Sequence, residues 1–209
     1  MKLLLVGSTG LVGQQVLDLA LGDGRVTAVV APVRRPVLAH PKLFAPVVDF
    51  ERLPEGADWW KADAVICALG TTLRAAGSQA AFRRVDHDYP LAVARLARHH
   101  GTAVYVLNSA MGADPASRFF YNRVKGELER DLAALDFRSL TIARPGLIGG
   151  RRTETRRAEQ VLGFALGLLG PVLPRRLRIN PAANIARAML GAAVTAVPGR
   201  HVVGSAELA

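Results

Sequence analysis

The sequence predicts an α/β protein: a doubly wound, mostly parallel sheet with helices on both faces and a small C-terminal elaboration. Three observations carry that reading. Short apolar runs alternate with segments of helical periodicity, the signature of β-α-β units stacked on a parallel sheet. The first run, Lys2-Leu3-Leu4-Leu5-Val6, enters a loop with glycine at every third position, Gly7-Ser8-Thr9-Gly10-Leu11-Val12-Gly13, and that loop opens a helix. Each further distinctive loop (31–36, 69–74, 108–114, 144–152) also follows a strand. The loops therefore converge on one edge of the sheet, where open α/β folds place their ligands.

Residues 1–22 form the first β–α unit. The first glycine permits a tight strand-to-helix turn, the second lets backbone approach a pyrophosphate, and the third lets helix and strand pack closely. The helix N-terminus adds unpaired N–H groups and partial positive charge. Residues 25–30 read as the second strand and 46–48 as a short third. Residues 64–68 are a buried fourth strand ending at Leu69-Gly70-Thr71-Thr72. From 78 to 99, Ala81, Phe82, Val85, Tyr89, Ala92, Val93 and Leu96 recur at helical spacing. The fifth strand is 103–107, with a helix over 118–135 behind it, and the sixth is 139–143, ending at Arg144-Pro145-Gly146. Beyond 150, helical stretches at 156–169 and 182–196 and a terminal His201-Val202-Val203 strand read as a small cap or an added edge. One domain spans 1–209, with a nucleotide-binding core over 1–150 and a small substrate or cap portion over 151–209.

Composition narrows the function classes. The 209 residues carry a formal charge of +10, with lysine at 2, 42, 61 and 125 and arginine elsewhere. The arginines fall in scattered pairs (Arg34-Arg35, Arg83-Arg84, Arg151-Arg152, Arg156-Arg157, Arg175-Arg176), and aromatic residues are few, so a nucleic-acid partner is not expected. Cys67 is the single cysteine, which rules out an internal disulfide. The apolar stretch 161–173 contains three glycines and a proline and falls short of a membrane span. No secretory h-region is visible. A cytoplasmic protein with a small-molecule substrate is the expectation, as a monomer or a homodimer. His87 and Asp88 have no accompanying histidine cluster, so no metal is expected.

Selective NAD enzymes place an acidic residue at the end of the second strand. Here no Asp or Glu occurs between Asp23 and Asp49, and Val33-Arg34-Arg35 stands there instead. A guanidinium fork matches a phosphate in geometry and charge. The expected cofactor is therefore NADP(H) in preference to NAD(H), with Arg34 and Arg35 on the 2′-phosphate and Asp49 beside the adenine. Tyr121 and Lys125 lie four apart on a helix and project from one face. A tyrosine phenol, with a free pKa of about 10, serves as a proton carrier near neutrality only if a neighbouring cation stabilises its anion. Lys125 supplies that cation and holds the nicotinamide ribose, while Ser109, just after the fifth strand, orients a carbonyl or hydroxyl.

With Gly7–Gly13, Cys67-Ala-Leu-Gly-Thr-Thr72, Arg84-Val-Asp-His-Asp-Tyr89, Ser109-Ala-Met-Gly-Ala-Asp114 and Tyr121-Asn-Arg-Val-Lys-Gly-Glu127 in place, the sequence resembles the atypical short-chain dehydrogenase/reductases. Within them it is similar to the Tat-interacting-protein-like oxidoreductases, whose fold is the NAD(P)-binding Rossmann type. The resemblance implies catalytic roles for Ser109, Tyr121 and Lys125. It implies cofactor contacts at Gly7, Ser8, Thr9, Gly10, Leu11, Val12, Arg34, Arg35, Leu69, Gly70, Thr71, Tyr121 and Lys125, with Pro145 and Gly146 after the sixth strand. Two departures from the wider superfamily stand out. Ala68-Leu69-Gly70-Thr71 replaces an Asn-Asn-Ala-Gly stretch, and the helix asparagine that completes a proton relay in many dehydrogenases has no evident counterpart, with Asp86 or His87 as the candidates for its place. The expected function is an NADP(H)-dependent oxidoreductase acting on an unidentified carbonyl or alcohol; the alternative is a non-catalytic NADP(H)-binding sensor or scaffold.

Overall fold

In a computed structural model that describes residues 1–149, 174–175 and 178–209, strand β1 (Lys2–Val6) is an interior strand of the sheet. Leu3, Leu4, Leu5 and Val6 are all fully buried, and period-2 geometry sends them alternately to two cores. Leu3 and Leu5 join Val12, Val16 and Ala20 of α1 (Leu11–Gly22) on one face, together with Ile185, Ala186 and Met189 of α6 (Ala182–Thr195). Leu4 and Val6 join Val93, Ala94 and Ala97 of α4 (Tyr89–His99) on the other, with Leu128 and Leu132 of α5 (Phe120–Ala133). An unbroken apolar run is stable only where helices cover both faces.

The remaining strands are β2 (Ala28–Val30), β3 (Leu43–Phe44), β4 (Ala64–Cys67), β5 (Val104–Asn108), β6 (Ser139–Arg144) and β9 (Gly199–Gly204). They form one seven-stranded sheet in the order β3-β2-β1-β4-β5-β6-β9, parallel at every pairing. A separate parallel pair joins β7 (Ile148–Gly149) to β8 (Asn180–Pro181). Two short helices, α2 (Leu73–Ala76) and α3 (Gln79–Arg83), precede α4, and α7 (Ser205–Leu208) closes the chain. This is the doubly wound α/β architecture read from the sequence.

Four elements differ from expectation. The second strand begins at Ala28 rather than at 25, with the Arg25 backbone N–H donating to Asp23 Oδ1 in a turn before it. The third strand is 43–44 rather than 46–48, because Leu43 and Phe44 take the register beside Val29 and Val30, and Val47 makes only an isolated bridge to Val33. The single helix expected over 78–99 is interrupted by a π-helical turn at Arg84–Asp88, which turns both Asp86 and His87 inward. The terminal strand is longer than His201–Val203 and pairs along its whole length with β6, while α6 packs on α1. The chain beyond 180 thus completes the sheet and one of its two cores. The helical stretch expected at 156–169 lies outside the described residues.

The glycine loop shows why those residues fold this way. Gly7 adopts φ +86°, and a Cβ there would lie 2.6 Å from the Ala68 carbonyl carbon. At Gly13 a Cβ would lie 2.0 Å from the Gly7 carbonyl oxygen. Both obstacles are backbone and neither can rotate away. Gly13→Ala must therefore push α1 off β1, and we expect a loss of about 1–3 kcal/mol, as for other overpacked cores. A urea titration checks this, and a midpoint equal to wild type refutes the close-packing account.

Candidate active site

The carboxyl ends of β1, β2, β4, β5 and β6 bring the sequence-predicted residues to one edge of the sheet. At the end of β1, Gly10 is the N-cap of α1, which starts without a side-chain cap and without an acidic residue in its first turn. Its leading N–H groups thus lack a side-chain partner, the condition for binding an anion. Ser8 Oγ is buried in the same loop and has no hydrogen-bond partner among the described residues. Thr9 and Gly10 are exposed, Leu11 is half-buried and Val12 is in the core. A bare loop, an orphaned hydroxyl and an uncapped helix start fit a dinucleotide diphosphate.

Beyond β2, Arg34 and Arg35 are both exposed and pair with no carboxylate among the described residues. Asp49 is exposed, and its Oδ1 accepts from the Glu51 backbone N–H at 2.9 Å, which closes a local turn. Next to it, Phe50 stacks on Tyr89 with ring centroids 5.6 Å apart.

The chemical centre lies between β4 and α5. Lys125 is buried, and its Nζ lies 2.8 Å from Asp86 Oδ1, which has no other partner among the described residues. Asp86 Oδ2 accepts the backbone N–H of Thr71 at 2.8 Å. Burial disfavours the Lys125 charge, yet the Asp86 carboxylate and the neighbouring Tyr121 phenol outweigh it and hold the ammonium above the ordinary lysine value. Tyr121 is half-buried, with its ring 5.5 Å from that of Phe82 on α3. A Cβ on Gly70 would meet Asp86 Oδ1 at 3.4 Å and Lys125 Nζ at 3.9 Å, so the bare glycine leaves the lysine approachable from the Leu69-Gly70-Thr71 loop. Cys67, at the end of β4, is buried, and burial pushes its thiol up, away from nucleophilic chemistry.

Ser109 does not stand as the sequence suggests. It is buried, and its Oγ donates to Glu129 Oε1 at 2.5 Å. Glu129, only 2 % exposed, also receives the Arg144 guanidinium, with Nε at 3.0 and 3.2 Å from the two carboxylate oxygens. With its proton given to Glu129, the hydroxyl offers only an acceptor lone pair to anything else. Sequence reasoning missed Glu129, although Tyr121, Lys125 and Glu129 follow one another at helical i+4 spacing. At the end of β6, Pro145 is buried, and the Gly146 N–H donates to Asn180 Oδ1 at 2.7 Å, a further partner the sequence did not reveal. Gly126 is a third: a Cβ there would lie 2.2 Å from backbone atoms of Asp114 and Pro115, so the glycine seats α5 against the loop after β5.

No protein-family model matches the sequence. The protein FMP52, mitochondrial, of Coccidioides immitis is 33% identical over 221 residues, covering 98% of this chain and 90% of that protein. The protein HTATIP2 of Rattus norvegicus is 35% identical over 201 residues, covering 94% and 82%. Among solved structures, MoeE5 in complex with UDP-glucose and NAD superposes with a TM-score of 0.74 at 16% identity, covering 98% of this chain and 76% of that one. That likeness shows the Rossmann-type fold. The expected cytoplasmic location is overturned: several fungal relatives, matched over most of the chain, are named mitochondrial. The expectation rested on a missing secretory h-region and membrane span, and neither bears on mitochondrial import, which uses amphipathic arginine-rich segments. Among the described residues no helix is long and apolar enough to cross a membrane.

Proposed function

Since the chain belongs to the FMP52 and HTATIP2 family of atypical, Tat-interacting-protein-like short-chain dehydrogenase/reductases, we propose that it is an NADP(H)-dependent oxidoreductase acting on a carbonyl or alcohol. The observation that carries this reading is the buried, charged Lys125 one helical turn from Tyr121, open toward the Gly70 loop. A buried ammonium is costly unless it has a task or a partner, and here it has both. Gly7, Ser8, Thr9, Gly10, Leu11 and Val12 hold the diphosphate. Arg34 and Arg35 grip the 2′-phosphate, while Leu69, Gly70 and Thr71, with Pro145 and Gly146, flank the nicotinamide half. Asp49 lies on the adenine side. The bound cofactor supplies or accepts the hydride. Lys125 donates to the ribose hydroxyls and lowers the cost of the Tyr121 phenolate, and Tyr121 passes its proton to the substrate oxygen.

The cofactor preference is tested by calorimetry with both nucleotides. A charge-assisted hydrogen bond contributes about 1.5–3 kcal/mol, so Arg34→Ala and Arg35→Ala should each weaken NADPH binding by roughly tenfold or more. NADH affinity should stay unchanged. Equal weakening for both nucleotides refutes the 2′-phosphate assignment. One observation favours the second reading, a non-catalytic NADP(H)-binding sensor: Ser109 gives its proton to Glu129 and so has none for a substrate carbonyl. Tight NADPH binding with no turnover across a panel of aldehydes and ketones would decide for the sensor.

A further inference from the structure

We propose that Asp86 is a positioning residue of this site, joining Lys125 to the Leu69-Gly70-Thr71 loop and setting both for the nicotinamide ribose. The inference rests on the reading of the site given above and adds a residue to it. The carboxylate is 1 % exposed and uses both oxygens: Oδ1 lies 2.8 Å from Lys125 Nζ, and Oδ2 accepts the Thr71 N–H at 2.8 Å. One side chain therefore fixes a cation on α5 and a backbone segment after β4.

The π-helical turn at Arg84–Asp88 is what places it there. Asp86 and His87 are consecutive residues of this widened turn and both are buried. His87 occupies its own cage, with Nδ1 2.8 Å from Asp88 Oδ1 and Nε2 3.0 Å from Asp131 Oδ2. His87 is thus held apart from Lys125, and Asp86 is left as the partner of the ammonium. An ammonium has three protons. The ion pair with Asp86 takes up one side of the ammonium and leaves N–H groups for the ribose hydroxyls on the side that Gly70 leaves bare. The carboxylate also offsets the burial that would otherwise drive the proton off Lys125. A neutral lysine could not stabilise the Tyr121 phenolate.

The test reads the ammonium directly. The chain has four lysines, and Lys125 is the buried one among them. In the 15N-labelled free protein, a slowly exchanging Nζ–H signal is expected, absent in Lys125→Arg and perturbed when NADPH is added. Asp86→Asn keeps an oxygen for the Thr71 N–H and removes the charge. It should abolish the protected signal and raise the NADPH dissociation constant about tenfold, the equivalent of one charge-assisted hydrogen bond. An unchanged signal and an unchanged dissociation constant in Asp86→Asn overturn the proposal. So does the lack of any protected ammonium in the wild-type protein, a measurement that holds even if the variant fails to fold. A protected ammonium in a wild-type protein that binds no nucleotide would leave the Lys125–Asp86 pair standing while removing the oxidoreductase reading and the positioning role with it.

Discussion

Replacing Arg144 with leucine is expected to cost about 3–5 kcal/mol, the usual penalty for leaving a buried charge without its partner. Glu129 is almost wholly buried on α5, and the Arg144 guanidinium grips both of its oxygens. Once Arg144 is gone, the carboxylate retains the Ser109 hydroxyl at 2.5 Å and the half-exposed Arg200, whose Nη2 lies 3.9 Å away. A hydroxyl cannot neutralise a charge, and Arg200 is too distant for a hydrogen bond. Its Coulombic help places the expected loss toward the lower end of the range. Globular domains are stable by only about 5–15 kcal/mol, so the variant should show a large drop in urea midpoint. The double variant Glu129→Leu with Arg144→Leu should recover part of the loss, because the orphaned charge leaves with its partner. The Ser109 hydroxyl then lacks its acceptor, and recovery is incomplete. An Arg144→Leu stability within about 1 kcal/mol of wild type would mean that the ion pair contributes no more than an exposed surface pair.

The contrast between Ser109 and the glycine loop shows what the sequence can and cannot specify about this site. Gly7 and Gly13 are legible because their constraint is local: a positive φ and a close helix–strand contact each exclude a Cβ, and only glycine meets them. Lys125 is legible through its spacing from Tyr121. The position of Ser109 after β5 is legible too, yet its orientation is not, since that depends on a glutamate twenty residues on and an arginine on the next strand. On a helix a glutamate ordinarily reads as solvated, and nothing local marks Glu129 as buried. The π turn is hidden for a related reason. Apolar spacing from Ala81 to Leu96 suits one continuous helix, and the extra residue is visible only in the inward Asp86 and His87. The slip at β3 has a simpler cause: a two-residue edge strand has too little pattern to fix a register, and pairing with Val29 and Val30 decides it.

Tyr121→Phe is expected to lower turnover by a factor of about 10²–10⁴, the usual contribution of a positioned proton donor, while leaving the fold intact and costing nucleotide affinity no more than one neutral hydrogen bond, about 0.5–1.5 kcal/mol. Phenylalanine preserves the ring, so the contact with Phe82 and the start of α5 survive the change. Only the phenolic oxygen is lost, and with it the proton that a reduced carbonyl must receive. Lys125 cannot replace it: its ammonium is buried against Asp86 and held above the ordinary lysine value, which makes it a poor proton donor near neutrality. Ser109 cannot replace it either, because its proton is directed at Glu129. If Tyr121 carries the proton as proposed, the expected loss falls on kcat. Steady-state NADPH consumption with an aldehyde and ketone panel, alongside calorimetry, separates the outcomes. Unaltered turnover in Tyr121→Phe would remove the phenol from the mechanism. A parallel loss of nucleotide affinity and turnover would instead make Tyr121 a binding residue, with the proton drawn from solvent.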